Sequence, residues 1–170
     1  MVKRKGGPVR TRRNVQQYGD PYLPDIDPGE IAVCTSCRAI FRRRHWFFDE
    51  ALYNQVAVQP NTRLLTCPAC RKIRDGYFEG EVTLLPSPFL SNHKAEILNL
   101  IRNEEERAKG LNPLERIVAI TEEKGKVAVT TTNEKLAQRI GRELKKAYRG
   151  KSDYRWSEDT KCLRVTWARE

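Results

Sequence analysis

Cys34 and Cys37 form one C-x-x-C pair, and Cys67 and Cys70 form a second. Each such turn aims two thiolates at one point, and two turns complete a tetrahedral four-sulfur site. Zinc favours that set in structural sites, and iron also accepts it. Competing chemistries fit less well. A redox C-x-x-C comes as one pair beside a βαβ unit, and no such pattern surrounds either pair. Catalytic zinc keeps an open coordination position, which four cysteines close. His45 and His93 are lone histidines, read as ordinary surface or core residues. Cys162 has no partner and reads as an incidental thiol on the strand face opposite Leu163, Val165 and Trp167. Zinc is the expected cofactor, with Cys34, Cys37, Cys67 and Cys70 as its ligands.

Three groups of cations give the chain a second chemistry. Arg42, Arg43 and Arg44 stand beside His45, Trp46, Phe47 and Phe48. Arginines contact phosphates, whereas these aromatics are read as the small core of the metal module. Arg71, Lys72 and Arg74 follow the second cysteine pair and are expected on its surface. Lys135, Arg139, Arg142, Lys146 and Arg149 recur at spacings of four, three, four and three, with Lys145 widening the row. On a helix these form one stripe about 21 Å long, at about 1.5 Å per residue. A stripe of one sign is a phosphate-tracking surface rather than a generic solvated face, which mixes both signs. The net charge of +10 agrees with an acidic partner.

The elements that must hold these residues follow from period and punctuation. Residues 1–28 read as a basic flexible tail: they are rich in Lys, Arg, Pro and Gly and lack an apolar period. Residues 29–87 read as a zinc-ribbon module, and positions 38 to 66 form an insert containing a hairpin or short helix. Residues 88–112 read as a connecting helix capped by Ser91 and ended by Gly110. Its first half is amphipathic and its second half a solvated arm laced with charge pairs. Residues 113–170 read as a ββαββ module, one helix on a four-stranded antiparallel or mixed sheet. Thr131 and Glu134 have the spacing of a capping box for that helix. The fold class is α+β.

No stretch approaches the ~20 apolar residues of a membrane span, and no signal-peptide core follows the basic start. A cytoplasmic location is expected, with reduced thiols and no membrane partner. No paired acid and base, nucleophile elbow or phosphate-cradling glycine loop is present, so neither an enzyme nor a small-molecule substrate is expected.

The runs CPACRKIRDGYFEGEVTL, EILNLIRNEEERA, PLERIVAI and VTTTNEKLAQRIGRELKKAYRG resemble a family of small bacterial zinc-ribbon proteins of unassigned function, over residues 30–170. More distantly, VAVTTTNEKLAQRIGREL and the two C-x-x-C pairs resemble the amino-terminal part of the archaeal and eukaryotic export adaptor of the large ribosomal subunit. That family has more C-x-x-C pairs than the two present here, and its later domains are not expected among these 170 residues. The resemblance implies the four cysteines as ligands and ribosome or RNA binding as a class; a role in export does not carry over.

The expected function is a non-enzymatic, zinc-stabilised, RNA-binding protein that meets ribosomal RNA or a ribosomal subunit in assembly, translation control or dormancy. The alternatives are a DNA-binding transcriptional regulator and a zinc-ribbon protein–protein adaptor. Gln138 is the single amide in a stripe of six cations, which is poor material for reading base sequence.

Overall fold

The computed structural model describes residues 20–157 and 159–170. The α+β architecture contains four helices and two mixed sheets. Residues 1–19 of the expected tail lie outside the described residues. Residues 20–28, read as the end of that tail, lie instead against the metal module. Tyr22 stacks on Tyr77 with ring centroids 4.9 Å apart, and Ile26 packs on the cysteine cluster.

The first sheet has the order β3-β2-β1-β4, formed by β1 (Ala32–Cys34), β2 (Ile40–Arg42), β3 (His45–Phe47) and β4 (Arg63–Leu65). The insert holds both elements expected of it: the β2–β3 hairpin and helix α1 (Glu50–Val56). Because α1 carries the chain across, β4 pairs with β1 in parallel. Helix α2 (Pro68–Asp75) follows.

The second sheet has the order β6-β7-β5-β9-β8, from β5 (Gly80–Leu84), β6 (Ile117–Glu123), β7 (Lys126–Thr131), β8 (Lys151–Trp156) and β9 (Leu163–Ala168). The expected ββαββ order appears as β6-β7-α4-β8-β9. The expectation of four strands is corrected to five, because β5 joins from the stretch read as part of the metal module. β5 sits at the centre, antiparallel to β7 and parallel to β9. Its Val82 and Leu84 are fully buried, as a central strand requires.

Helix α3 (Pro88–Leu111) and helix α4 (Glu134–Tyr148) share one core with this sheet. Ser87, rather than Ser91, caps α3 by accepting from Leu90 N at 3.1 Å, and the helix runs through Gly110 to a C-cap at Asn112. Its second half is not a solvated arm. Ile101, Glu104 and Ala108 continue the buried period, and the Glu105 carboxylate accepts from Ile117 N at 2.8 Å. Asn133, rather than Thr131, caps α4 by accepting from Leu136 N at 3.1 Å. The Thr131 hydroxyl donates instead to the Asn133 carbonyl. Leu136, Ile140 and Leu144 are fully buried, each contributing about 1.5–3 kcal/mol. Ala147 continues this face at helical spacing yet is exposed, and half-buried Tyr148 ends the apolar stripe.

Candidate metal centre and cationic surface

The first cysteine pair is built by a turn. Arg38 N donates to the Cys34 carbonyl at 3.0 Å, and Cys34 N donates to the Ala39 carbonyl at 2.8 Å. The reversal holds Arg38 at φ 65°. A β-carbon normally disfavours that region, and here the closed knuckle enforces it. The second pair is built by a helix start. Cys67 is the N-cap of α2, Pro68 takes the first turn, where its missing N–H costs nothing, and Cys70 follows one turn on. The Cys67 sulfur accepts from Cys70 N at 3.4 Å, and the Cys34 sulfur accepts from Cys67 N at 3.2 Å. These amide donors and the positive end of α2 favour thiolate over thiol.

The four Sγ atoms lie within 4.8 Å of one another, and Cys37 and Cys67 are 3.7 Å apart. A tetrahedral site with metal–sulfur bonds of about 2.3 Å places its sulfurs about 3.8 Å apart. All four cysteines are free thiols. Hydrogen bonds from the Cys37, Cys67 and Cys70 thiols pull Cys34 far down, whereas Cys34 foremost, with Cys37 and Cys70, pushes Cys67 up. Four sulfurs this close ionise together only if a cation replaces their protons. The set therefore fits one metal ion, held by Cys34, Cys37, Cys67 and Cys70. Trp46, Ala39 and Ala69 bury its inner side. Neither histidine belongs to the cluster, and Cys162 is buried just before β9.

The predicted cations fall into different surroundings. Arg42, Arg43 and Arg44 are exposed at the β2–β3 tip, where Arg43 (φ 51°) and Arg44 (φ 64°) make the two-residue turn. Such turns favour Asn-Gly, because both residues take positive φ. The partly or fully buried Trp46, Phe41 and Phe47 form the module's inner packing, as expected, while Phe48 remains 39% exposed. Lys72 is corrected: it is buried, donates to Glu79 Oε1 at 2.8 Å and to the Thr132 carbonyl at 3.2 Å, and faces no phosphate. Its neighbour Arg71 is half-buried over the Tyr22 ring. Arg74 is exposed and paired with Asp75 at 2.9 Å.

On α4, Lys135, Arg142, Lys145, Lys146 and Arg149 are exposed. Arg139 is half-withdrawn toward Glu115, 4.0 Å away. Lys146 lies 3.7 Å from Glu143, and the other four exposed cations make no ion pair among the described residues. Sequence reasoning missed Tyr154, which lines a groove with Arg142, Lys145 and Lys146, and the exposed Trp156 on the same strand. Tyr154 and Trp156 on β8 are 36% and 55% exposed. Their two-residue spacing could have placed them on one face, but nothing local shows that α4 leaves them uncovered.

Among the described residues, no helix is long and apolar enough to cross a membrane. Compared with known proteins, the chain matches no family, no curated protein and no solved structure.

Proposed function

We propose that this is a non-enzymatic, zinc-stabilised RNA-binding protein whose partner is ribosomal RNA or a ribosomal subunit in the cytoplasm. The observation that carries the reading is the outward face of α4, where five exposed cations meet one acidic partner, Glu143. Solvated helix faces ordinarily interleave the two signs, whereas a row of unneutralised cations matches a phosphate chain. The arginine tip of the β2–β3 hairpin adds a second exposed cationic point. The resemblance to the ribosomal export adaptor directs the choice toward ribosomal RNA. Zinc, held by the four thiolates, closes the module that presents the tip and takes no part in chemistry.

The test is the salt dependence of binding to ribosomal RNA. Five phosphate contacts give a logarithmic slope of roughly −3.5 against salt concentration on single-stranded segments. The Arg142→Glu/Lys145→Glu variant should flatten that slope. A slope near zero for the unaltered protein contradicts the proposal.

A further inference from the structure

A groove of about 480 Å³ runs between α4 and β8, lined by Gln138, Arg142, Lys145, Lys146 and Tyr154. No acidic side chain is among those lining residues. Tyr154 lies against α4 where Gly141 leaves room: a β-carbon there would stand 2.9 Å from the tyrosine hydroxyl. β8 is an edge strand, paired with β9 alone. Tyr154 is opposite Val165 and Trp156 is opposite Leu163, both buried. Strand alternation therefore puts Tyr154 and Trp156 on the same side of the sheet as that core, roughly 6.8 Å apart along the edge. Trp156 is the single exposed tryptophan of three, since Trp46 and Trp167 are 8% and 0% exposed. Trp156 thus offers more than half of its surface to solvent, two residues along the edge strand from Tyr154, which lines the groove.

The geometry points to this groove as a seat for an unpaired RNA segment, with Tyr154 and Trp156 stacking on its bases and Arg142, Lys145 and Lys146 holding its phosphates. This inference rests on the RNA-binding reading and names the form of RNA taken. Bases within a duplex are already stacked and keep their faces from a side chain. Bases in a single strand offer them, and aromatic stacking tolerates any base identity. The row of cations beside the aromatics supplies the charge complementarity that an acidic, flexible strand requires.

The experiment is a titration of the full-length, zinc-loaded protein with a short oligouridylate and with a blunt RNA duplex of equal length, read by tryptophan emission and by affinity. The oligouridylate should quench the emission and the duplex should leave it unchanged. Trp156→Ala should abolish the quench and weaken single-strand binding on the order of tenfold, with duplex affinity retained. Trp156 is more than half exposed, so this variant should fold, and zinc content and circular dichroism check that it does. RNA binding with silent tryptophan emission and an unaffected Trp156→Ala variant overturns the groove and leaves the RNA-binding reading standing. Failure to bind either RNA overturns both. Capture of an acidic peptide at the groove in preference to the oligouridylate also overturns the inference.

Discussion

Lys72 Nζ lies 2.8 Å from Glu79 Oε1 in a buried ion pair. The pair ties α2, which carries Cys70, to the residue that leads into β5 at the centre of the second sheet. The same ammonium donates to the Thr132 carbonyl beyond β7 and stands within 6 Å of the stacked Tyr22 and Tyr77 rings. Lys72 is thus one link between the metal module and the second sheet, beside the packing of Leu114 on the cysteine cluster. Removing one partner of a buried pair leaves an uncompensated charge, which costs about 3–5 kcal/mol. Lys72→Met should lower unfolding stability by that amount. Lys72→Met/Glu79→Leu should recover most of the loss, because neither charge is then stranded. Denaturant titration of the zinc-loaded proteins measures both.

The four thiols predict a pH-dependent metal affinity. Cys67 is held protonated chiefly by Cys34, with Cys37 and Cys70 adding to the shift. Metal binding must displace that proton, so affinity rises with pH and falls as acid restores the thiols. Competition with a chromophoric chelator should give one zinc per chain, with tighter binding at higher pH. Cys70→Ser should weaken binding and loosen the module, while Cys162→Ser should leave the stoichiometry unchanged.

Much of this centre was legible in the sequence, because C-x-x-C is a local code: the turn at Arg38 and the helix start at Pro68 each complete themselves within a few residues. The fate of Lys72 was not legible. Its burial depends on Glu79 and on Thr132, which only the folded sheet brings together. The same holds for β5. Its alternating Val82 and Leu84 mark a strand, but one partner is β9, reached through a parallel pairing of Val82 with Val165. The helix caps show a finer limit. Ser87 and Ser91, and Thr131 and Asn133, offer similar hydroxyl or amide oxygens near one helix start, and the entering backbone decides which one reaches the free N–H. The exposure of Trp156 likewise depends on how far α4 reaches across the sheet.

Arg43 and Arg44 predict a trade between stability and binding. Each holds a positive φ that disfavours a side chain, at a cost of about 1–2 kcal/mol. Arg43→Asn/Arg44→Gly supplies the residues this turn favours. It should stabilise the zinc-loaded protein by about 1–2 kcal/mol while weakening RNA binding. Thermal unfolding and filter binding on the same samples check both signs.

Gly141 predicts a steric limit at the helix–sheet contact. A β-carbon there would lie 2.8 Å from Val165 Cγ1 as well as close to Tyr154. Alanine ordinarily favours a helix over glycine, but here the crowding wins. Gly141→Ala should destabilise the protein by about 1–3 kcal/mol, read as a lowered thermal midpoint. A raised midpoint would show that α4 and β9 separate easily.

Sedimentation of cell lysate through sucrose gradients at low and high salt tests the central claim most directly. The protein should travel with a ribosomal subunit at low salt and return to the top as salt rises. The Arg142→Glu/Lys145→Glu variant should stay at the top at both. If the unaltered protein remains at the top even at low salt, the ribosomal assignment is contradicted.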